Sequence, residues 1–269
     1  MILTVDIGNS RIKWALWRAD EIVGRGVTSY AADNNEDGFD ALFSKVEKPT
    51  HIFAVCVAGN KLSHSLNEWS KQHWQRSVKF LKTQKRFSNI SNNIINAYKN
   101  PEQHGVDRWA GVVASHLRCP GSSVCVINAG TATTFDFINK DGQHLGGYIL
   151  PSYVTMHKAL LVDTTNVKSA MKSESDGRFN EPIMNESGVP DNTNDAVNQG
   201  LHKLLQAGVR EICQIAKQKM ESPMQIIISG GFAKTILSYP DMPGMIYQPD
   251  LVMQGLYEIM KQRISVGES

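Results

Sequence analysis

The chain has 269 residues, enough for one large domain or two small ones with a real hydrophobic core. Hydrophobic residues at 41% and charged residues at 20% fit a soluble globular protein and argue against a disordered chain. Lys and Arg number 28 against 26 Asp and Glu, and a net charge of +2 is too even for binding driven mainly by a polyanion.

An apolar strand beginning at Ile2 runs into Asp6-Ile7-Gly8-Asn9-Ser10, a turn signal, and a second apolar strand follows to Leu16. This is a hairpin signature. Ile52 to Ala58 reads as a buried strand, helical material follows through Leu66, Trp69 and Trp74, and Lys79-Phe80-Leu81 is a further short strand. From Arg108 to Leu117 the apolar residues Trp109, Val112, Val113 and Leu117 fall at helical spacing, with Asp107 where an N-cap would be. Val124 to Ile127 then leads into Asn128-Ala129-Gly130-Thr131-Ala132-Thr133-Thr134 and on to a strand at Phe135 to Ile138. Laid over the first hairpin, Asp6 meets Asn128, Gly8 meets Gly130 and Asn9 meets Thr131, so the chain reads as two related α/β halves, 1–117 and 118–269.

After Gly146-Gly147-Tyr148-Ile149-Leu150-Pro151 the pattern predicts a helix through Met156 to Leu161, and residues 166–192, rich in Asn, Ser, Asp and Glu, read as loop. A long amphipathic helix is expected from Asn194 to Met220, a strand over Met224 to Ile228 ending in Ser229-Gly230-Gly231, and a last helix around Leu251 to Ile264. Strands alternating with helices indicate α/β layers.

No apolar stretch approaches the roughly 20 residues of a membrane span. Asp6, Asn9, Arg11 and Lys13 interrupt what would be the apolar core of a secretory signal. Cys56, Cys119, Cys125 and Cys213 have no CxxC spacing, which argues against a zinc site or disulfide framework and makes a reducing cytoplasm the expected location.

The P-loop, dinucleotide, hydrolase-elbow and zincin motifs are absent in their simple forms. What remains is small polar turns at strand ends. In the first, Asp6 places a carboxylate at the end of a buried strand, Gly8 allows close backbone approach, Asn9 and Ser10 offer donors, and Lys13 lies on the outgoing strand. Such a turn suits phosphate oxygens, with Asp6 on a hydrated Mg²⁺, and equally suits an ordinary hairpin. Gly130-Thr131-Ala132-Thr133-Thr134 is either a second phosphate loop or a Thr-rich strand, and Gly230-Gly231 either a nucleotide-facing turn or a βα turn. In Gly105-Val106-Asp107-Arg108-Trp109, Asp107 fits either a base for a substrate hydroxyl or a helix cap. Arg108 suits a carboxylate or a phosphate.

In this order and spacing, Asp6-x-Gly8-Asn9-Ser10-x-x-Lys13, Tyr98, Gly105-x-Asp107-Arg108-Trp109, Gly130-Thr131-Ala132-Thr133-Thr134-x-Asp136, Gly146-Gly147-x-Ile149-x-Pro151 and Gly230-Gly231 resemble the type III pantothenate kinases, within the acetate and sugar kinase, heat-shock chaperone and actin superfamily. The resemblance implies an α/β fold of two duplicated ribonuclease-H-like domains with a nucleotide cleft between them. It also implies ATP, Mg²⁺ and a monovalent cation (K⁺ or NH₄⁺), a cytoplasmic homodimer, and no nucleic-acid or membrane partner. By position, Asp6, Ile7, Gly8, Asn9, Ser10, Arg11, Ile12 and Lys13 form the first phosphate loop, with Thr131, Gly230 and Gly231 also on ATP. Tyr98, Gly105, Val106, Asp107 and Arg108 take pantothenate, with Asp107 as the base, and Thr193, otherwise a helix N-cap, looks like the threonine offered to the neighbouring subunit's pantothenate. Two positions depart from the family pattern. Asn128 stands where an Asp tied to the monovalent cation is usual, keeping a carbonyl ligand without the charge. Ser152 follows Pro151 where Gly is usual. The same fold also accommodates a non-catalytic regulator or a kinase of another small acid or sugar.

Overall fold

The computed structural model describes residues 1–29, 36–163 and 188–265, so the expected loop at 166–192 lies outside the described residues up to 187. Contacts gather the chain into two compact units. The first comprises Met1–Gly121, Ile138–Gly146 and Asp250–Ser269, and the second Ser122–Phe137 and Gly147–Pro249.

The first unit is built on a five-stranded sheet of β1 (Ile2–Ile7), β2 (Arg11–Arg18), β3 (Glu21–Ser29), β4 (His51–Cys56) and β5 (Val78–Phe80), in the order β3-β2-β1-β4-β5. β1 pairs antiparallel with β2 and parallel with β4. It is therefore a central strand covered on both faces: Leu3, Val5 and Ile7 are fully buried, and so is Thr4. The Thr4 hydroxyl is kept satisfied there by accepting from Trp17 Nε1 at 2.9 Å. Helices α1 (Glu36–Phe43) and α2 (Asn60–Trp74) supply Phe39, Phe43, Leu66, Trp69 and Trp74 to this core. A small hairpin of β6 (Arg86–Ser88) and β7 (Asn93–Ile95) and a single 3-10 turn at Pro101–Gln103 lead into α3 (Val106–Arg118). The last helix, α7 (Leu251–Ser265), belongs to this unit: it packs on α3 so closely that a side chain at Gly255 would collide with the Ala110 backbone. The chain's final segment thus completes the unit that its first segment begins.

The second unit repeats the plan. Its sheet contains β8 (Ser123–Ala129), β9 (Ala132–Ile138), β10 (His144–Pro151), β11 (Met224–Ser229) and β12 (Ile246–Tyr247), in the order β10-β9-β8-β11-β12, with the end of β9 at Ile138 and the start of β10 at His144–Gly146 counted in the first unit. Counted within each sheet, both orders are 3-2-1-4-5, and in both the first strand pairs parallel with the fourth. The helices are α4 (Tyr153–Asp163), α5 (Thr193–Lys219) and α6 (Ala233–Ser238). Leu201, Leu205, Val209, Ile212 and Ala216 recur at three- and four-residue spacing along α5 and pack with Ile226, Ile228 and Phe135.

Several strands were not signalled by the sequence. β3 carries Gly24 and Gly26, residues that weaken a strand pattern, yet they make room for the Trp14 indole. β9 begins at Ala132, so Thr133 and Thr134 belong to the strand, and the turn shrinks to Gly130-Thr131. No helix among the described residues is long and apolar enough to cross a membrane.

Candidate active site

At the end of β1, Asp6 lies directly opposite Lys13 of β2, and Ile7 opposite Ile12. Gly8 N–H donates to Arg11 O at 3.0 Å and closes the turn, which leaves Asn9, Ser10 and Arg11 exposed. Ile7 and Ile12 are buried in the core, so only their backbone can meet a ligand. Burial, then the neighbouring charge of Asp107, push the Asp6 carboxyl from 3.8 to about 7, while Lys13 pulls it down. The electrostatic influence of Asp107 on Asp6 brings the first polar turn and the start of α3 into one locality.

α3 corrects one expectation. Its N-cap is Gly105, not Asp107, which sits inside the first turn. Among the described residues no hydrogen bond or ion pair engages the Asp107 carboxylate, so it is not consumed by capping. Gly105 has an ordinary φ of −48°, but a Cβ there would lie 2.8 Å from Asp107 Oδ1. Glycine is needed at this position for space. Arg108 is buried, donates from Nη1 to the Tyr98 hydroxyl at 3.2 Å and lies over the Tyr98 ring at 5.9 Å. Tyr98, Gly105, Val106, Asp107 and Arg108 therefore share one end of the first unit.

In the second unit, Gly130 N–H donates to Ala132 O at 2.9 Å, and Thr131 is exposed at the tip of the turn. Gly230, at φ +102°, lies against the end of β8, where a side chain would collide with the Ala129 backbone, and Phe232 N–H donates to Ala129 O at 3.0 Å. Gly230 is buried and Gly231 exposed. The Gly130-Thr131 and Gly230-Gly231 turns are thus neighbours, and Asn128 aligns with Ser229 across the parallel β8–β11 pair.

Sequence reasoning missed how the Thr131 turn is held. Ser152, one of the two unusual positions, accepts at Oγ from Thr155 N–H at 3.2 Å and so caps α4. The Thr155 hydroxyl in turn donates to Thr131 O at 2.7 Å. A Ser three residues before a Thr at a helix start was the available signal. Thr193 is exposed as the first residue of α5, and its alternative role as N-cap falls to Asn192, whose side chain accepts from Asp195 N–H at 3.0 Å.

A family model described as type III pantothenate kinase matches residues 2–215. The chain belongs to the type III pantothenate kinase family. A curated relative of that name from Nitrosococcus oceani is 32% identical over 275 residues, covering 99% of this chain and 96% of its own. One from Pseudoalteromonas translucida is 30% identical, covering 95% of this chain and 94% of its own. Among solved structures, one titled as a Baf family transcriptional activator from Campylobacter jejuni aligns with a TM-score of 0.57 at 20% identity, covering 98% of this chain and 99% of that one. A dehydratase component from Acidaminococcus fermentans aligns with a TM-score of 0.51 at 10% identity, covering 96% and 95%. At those identities the structures establish the fold alone. For this family member, the fold is that of two duplicated ribonuclease-H-like halves.

Proposed function

We propose that this family member is an ATP-dependent pantothenate kinase, moving the γ-phosphate of ATP to the primary hydroxyl of pantothenate to give 4′-phosphopantothenate, the first step of coenzyme A synthesis. The observation that carries the reading is Asp107, a carboxylate in the first turn of α3 that no cap or ion pair among the described residues engages and whose charge reaches Asp6.

In this reading Asp107 accepts the hydrogen bond of the pantothenate hydroxyl and points it in line at the phosphorus. Phosphoryl transfer passes through a loose transition state, so orientation counts for more here than basicity. Lys13 offsets charge on the transferring group. The turn from Asp6 to Lys13, with Thr131, Gly230 and Gly231, binds ATP. Tyr98, Gly105, Val106 and Arg108 hold pantothenate, and Thr193 is offered to the pantothenate of a second subunit in a homodimer. The enzyme works in the cytoplasm, without nucleic acid or membrane as partner.

The donors fit Mg²⁺. Burial and the Asp107 charge lift the Asp6 carboxyl to about 7 against the pull of Lys13, and that lift is relieved by a divalent cation. When bound with ATP, Mg²⁺ supplies charge neutralisation. At Asn128 and its register neighbour Ser229 the side chains would offer the monovalent cation neutral oxygens. These oxygens are compatible with K⁺ or NH₄⁺ but without the usual carboxylate charge.

Asn128 is the one feature that favours a second reading, a regulator of the same fold without catalysis. Purified protein mixed with ATP, Mg²⁺, K⁺ and either pantothenate or a sugar panel separates the readings. ADP release with pantothenate alone supports the kinase. Release with a sugar reassigns the substrate, and no release with any cation supports the regulator.

A further inference from the structure

Behind Tyr98, within the first unit, stands a ladder of flat rings. Tyr98 stacks on His104 with centroids 4.7 Å apart and planes 9° apart, His104 stacks on His144 at 4.7 Å and 2°, and Tyr98 and His144 are themselves parallel within 8° at 6.1 Å, so the three rings form one compact stack. Both imidazoles are fully buried. Filling that volume needs no polar ring, and two buried histidines demand partners.

Those partners orient the ladder. Tyr98 N–H donates to Asn96 Oδ1 at 3.0 Å, which fixes the side-chain amide so that Asn96 Nδ2 faces His104 Nδ1 at 3.1 Å. Ala97 N–H donates to His144 Nδ1 at 3.3 Å. Both Nδ1 atoms therefore accept from groups of the segment that carries Tyr98. The same segment is fastened from its other side. Lys85 Nζ donates to Asn96 O at 2.6 Å and to Tyr98 O at 3.0 Å, and Thr83 Oγ1 donates to His104 O at 2.6 Å. The ladder ends at the Tyr98 hydroxyl, which accepts from Arg108.

We propose that His104, backed by His144, is a positioning residue for the acceptor substrate: it fixes the plane of Tyr98 and, through the Tyr98 hydroxyl, the direction of the Arg108 fork. This rests on the reading of Tyr98 and Arg108 as pantothenate contacts. Its consequence is selective. Errors in the ladder weaken capture of the acceptor and leave the Asp6–Lys13 turn and the transfer step unchanged.

The test compares His104→Phe with His104→Leu. Both are apolar and of similar bulk, so a merely space-filling role treats them alike. Only Phe keeps a flat face under Tyr98. For His104→Leu the expected result is a rise of about tenfold in KM for pantothenate, with kcat and the KM for ATP within about twofold of wild type, the scale of a misplaced binding group. For His104→Phe, KM for pantothenate should stay within about threefold. Equal KM values for the two variants overturn the proposal, as does a parallel change in kcat or in KM for ATP. If His104→Leu does not fold, His144→Leu, whose ring lies parallel to Tyr98 at the longer centroid distance of 6.1 Å, takes its place with an expected selective rise of about threefold, and no rise overturns the proposal. A wild-type protein inert toward pantothenate defeats the kinase reading and this inference with it. An active wild type whose variants behave alike defeats this inference alone.

Discussion

Asp6 and Lys13 face each other across the β1–β2 ladder, yet the Asp6 carboxyl is held near 7, because burial and the charge of Asp107 outweigh the attraction of Lys13. The first sheet thus carries the Asp6 carboxylate at a cost in stability. The folded state keeps a proton that the unfolded chain releases near 3.8, so stability is lost as pH rises from about 4 to about 7. Asp6→Asn should therefore be more stable than wild type above pH 7, by on the order of 2–4 kcal/mol. The difference should shrink toward zero near pH 4. Denaturant unfolding at both pH values checks this.

Asp107→Asn removes the like charge and should lower the Asp6 carboxyl toward its ordinary value. Carboxyl-carbon NMR titration of the two proteins reads that shift. An unchanged Asp6 would mean that burial alone sets its titration.

Gly230→Ala forces a Cβ into the Ala129 backbone at φ +102°. A loss of about 2 kcal/mol or more is expected from the combined clash and strain. Because the same turn adjoins Gly130-Thr131, KM for ATP should rise while KM for pantothenate holds. Thermal melting and initial-rate kinetics measure the two effects.

The parts of the molecule written in local pattern were legible in the sequence. The hairpin at Asp6 to Lys13, the buried strand at His51–Cys56, helix α5 and strand β11 all follow from apolar periodicity broken by turn residues. Features set by distant packing were not. Gly24 and Gly26 hide β3 because their purpose is to seat Trp14, and Gly255 marks the docking of α7 on Ala110, which no local window contains. Asp107 resembles a cap in sequence, but the helix begins at Val106 with Gly105 as its N-cap, two residues earlier than an Asp107 cap would place it, and that shift frees the carboxylate. The His104–His144 stack joins residues forty positions apart and leaves no periodic trace.

Ser152→Ala deletes the α4 cap and should cost about 1 kcal/mol. Thr155→Val deletes the hydrogen bond to Thr131 O and should raise KM for ATP about threefold, with a smaller effect on kcat. Urea melts and ATP kinetics separate these outcomes.

In the proposed reading, Asn128 brings a carbonyl and no charge to the monovalent-cation position. Stimulation by K⁺ or NH₄⁺ should therefore be weak in the wild type, and Asn128→Asp should lower the cation concentration needed for half-maximal rate by about tenfold. A cation titration at fixed ATP and pantothenate measures both.

The most direct measurement is pantothenate-dependent ADP release by Asp107→Asn alongside wild type, with ATP binding followed by calorimetry. Wild type should turn over pantothenate, and the variant should bind ATP nearly normally while kcat falls by about a hundredfold or more. A variant that retains near-wild-type turnover would contradict the assignment of Asp107 as the group that orients the acceptor hydroxyl.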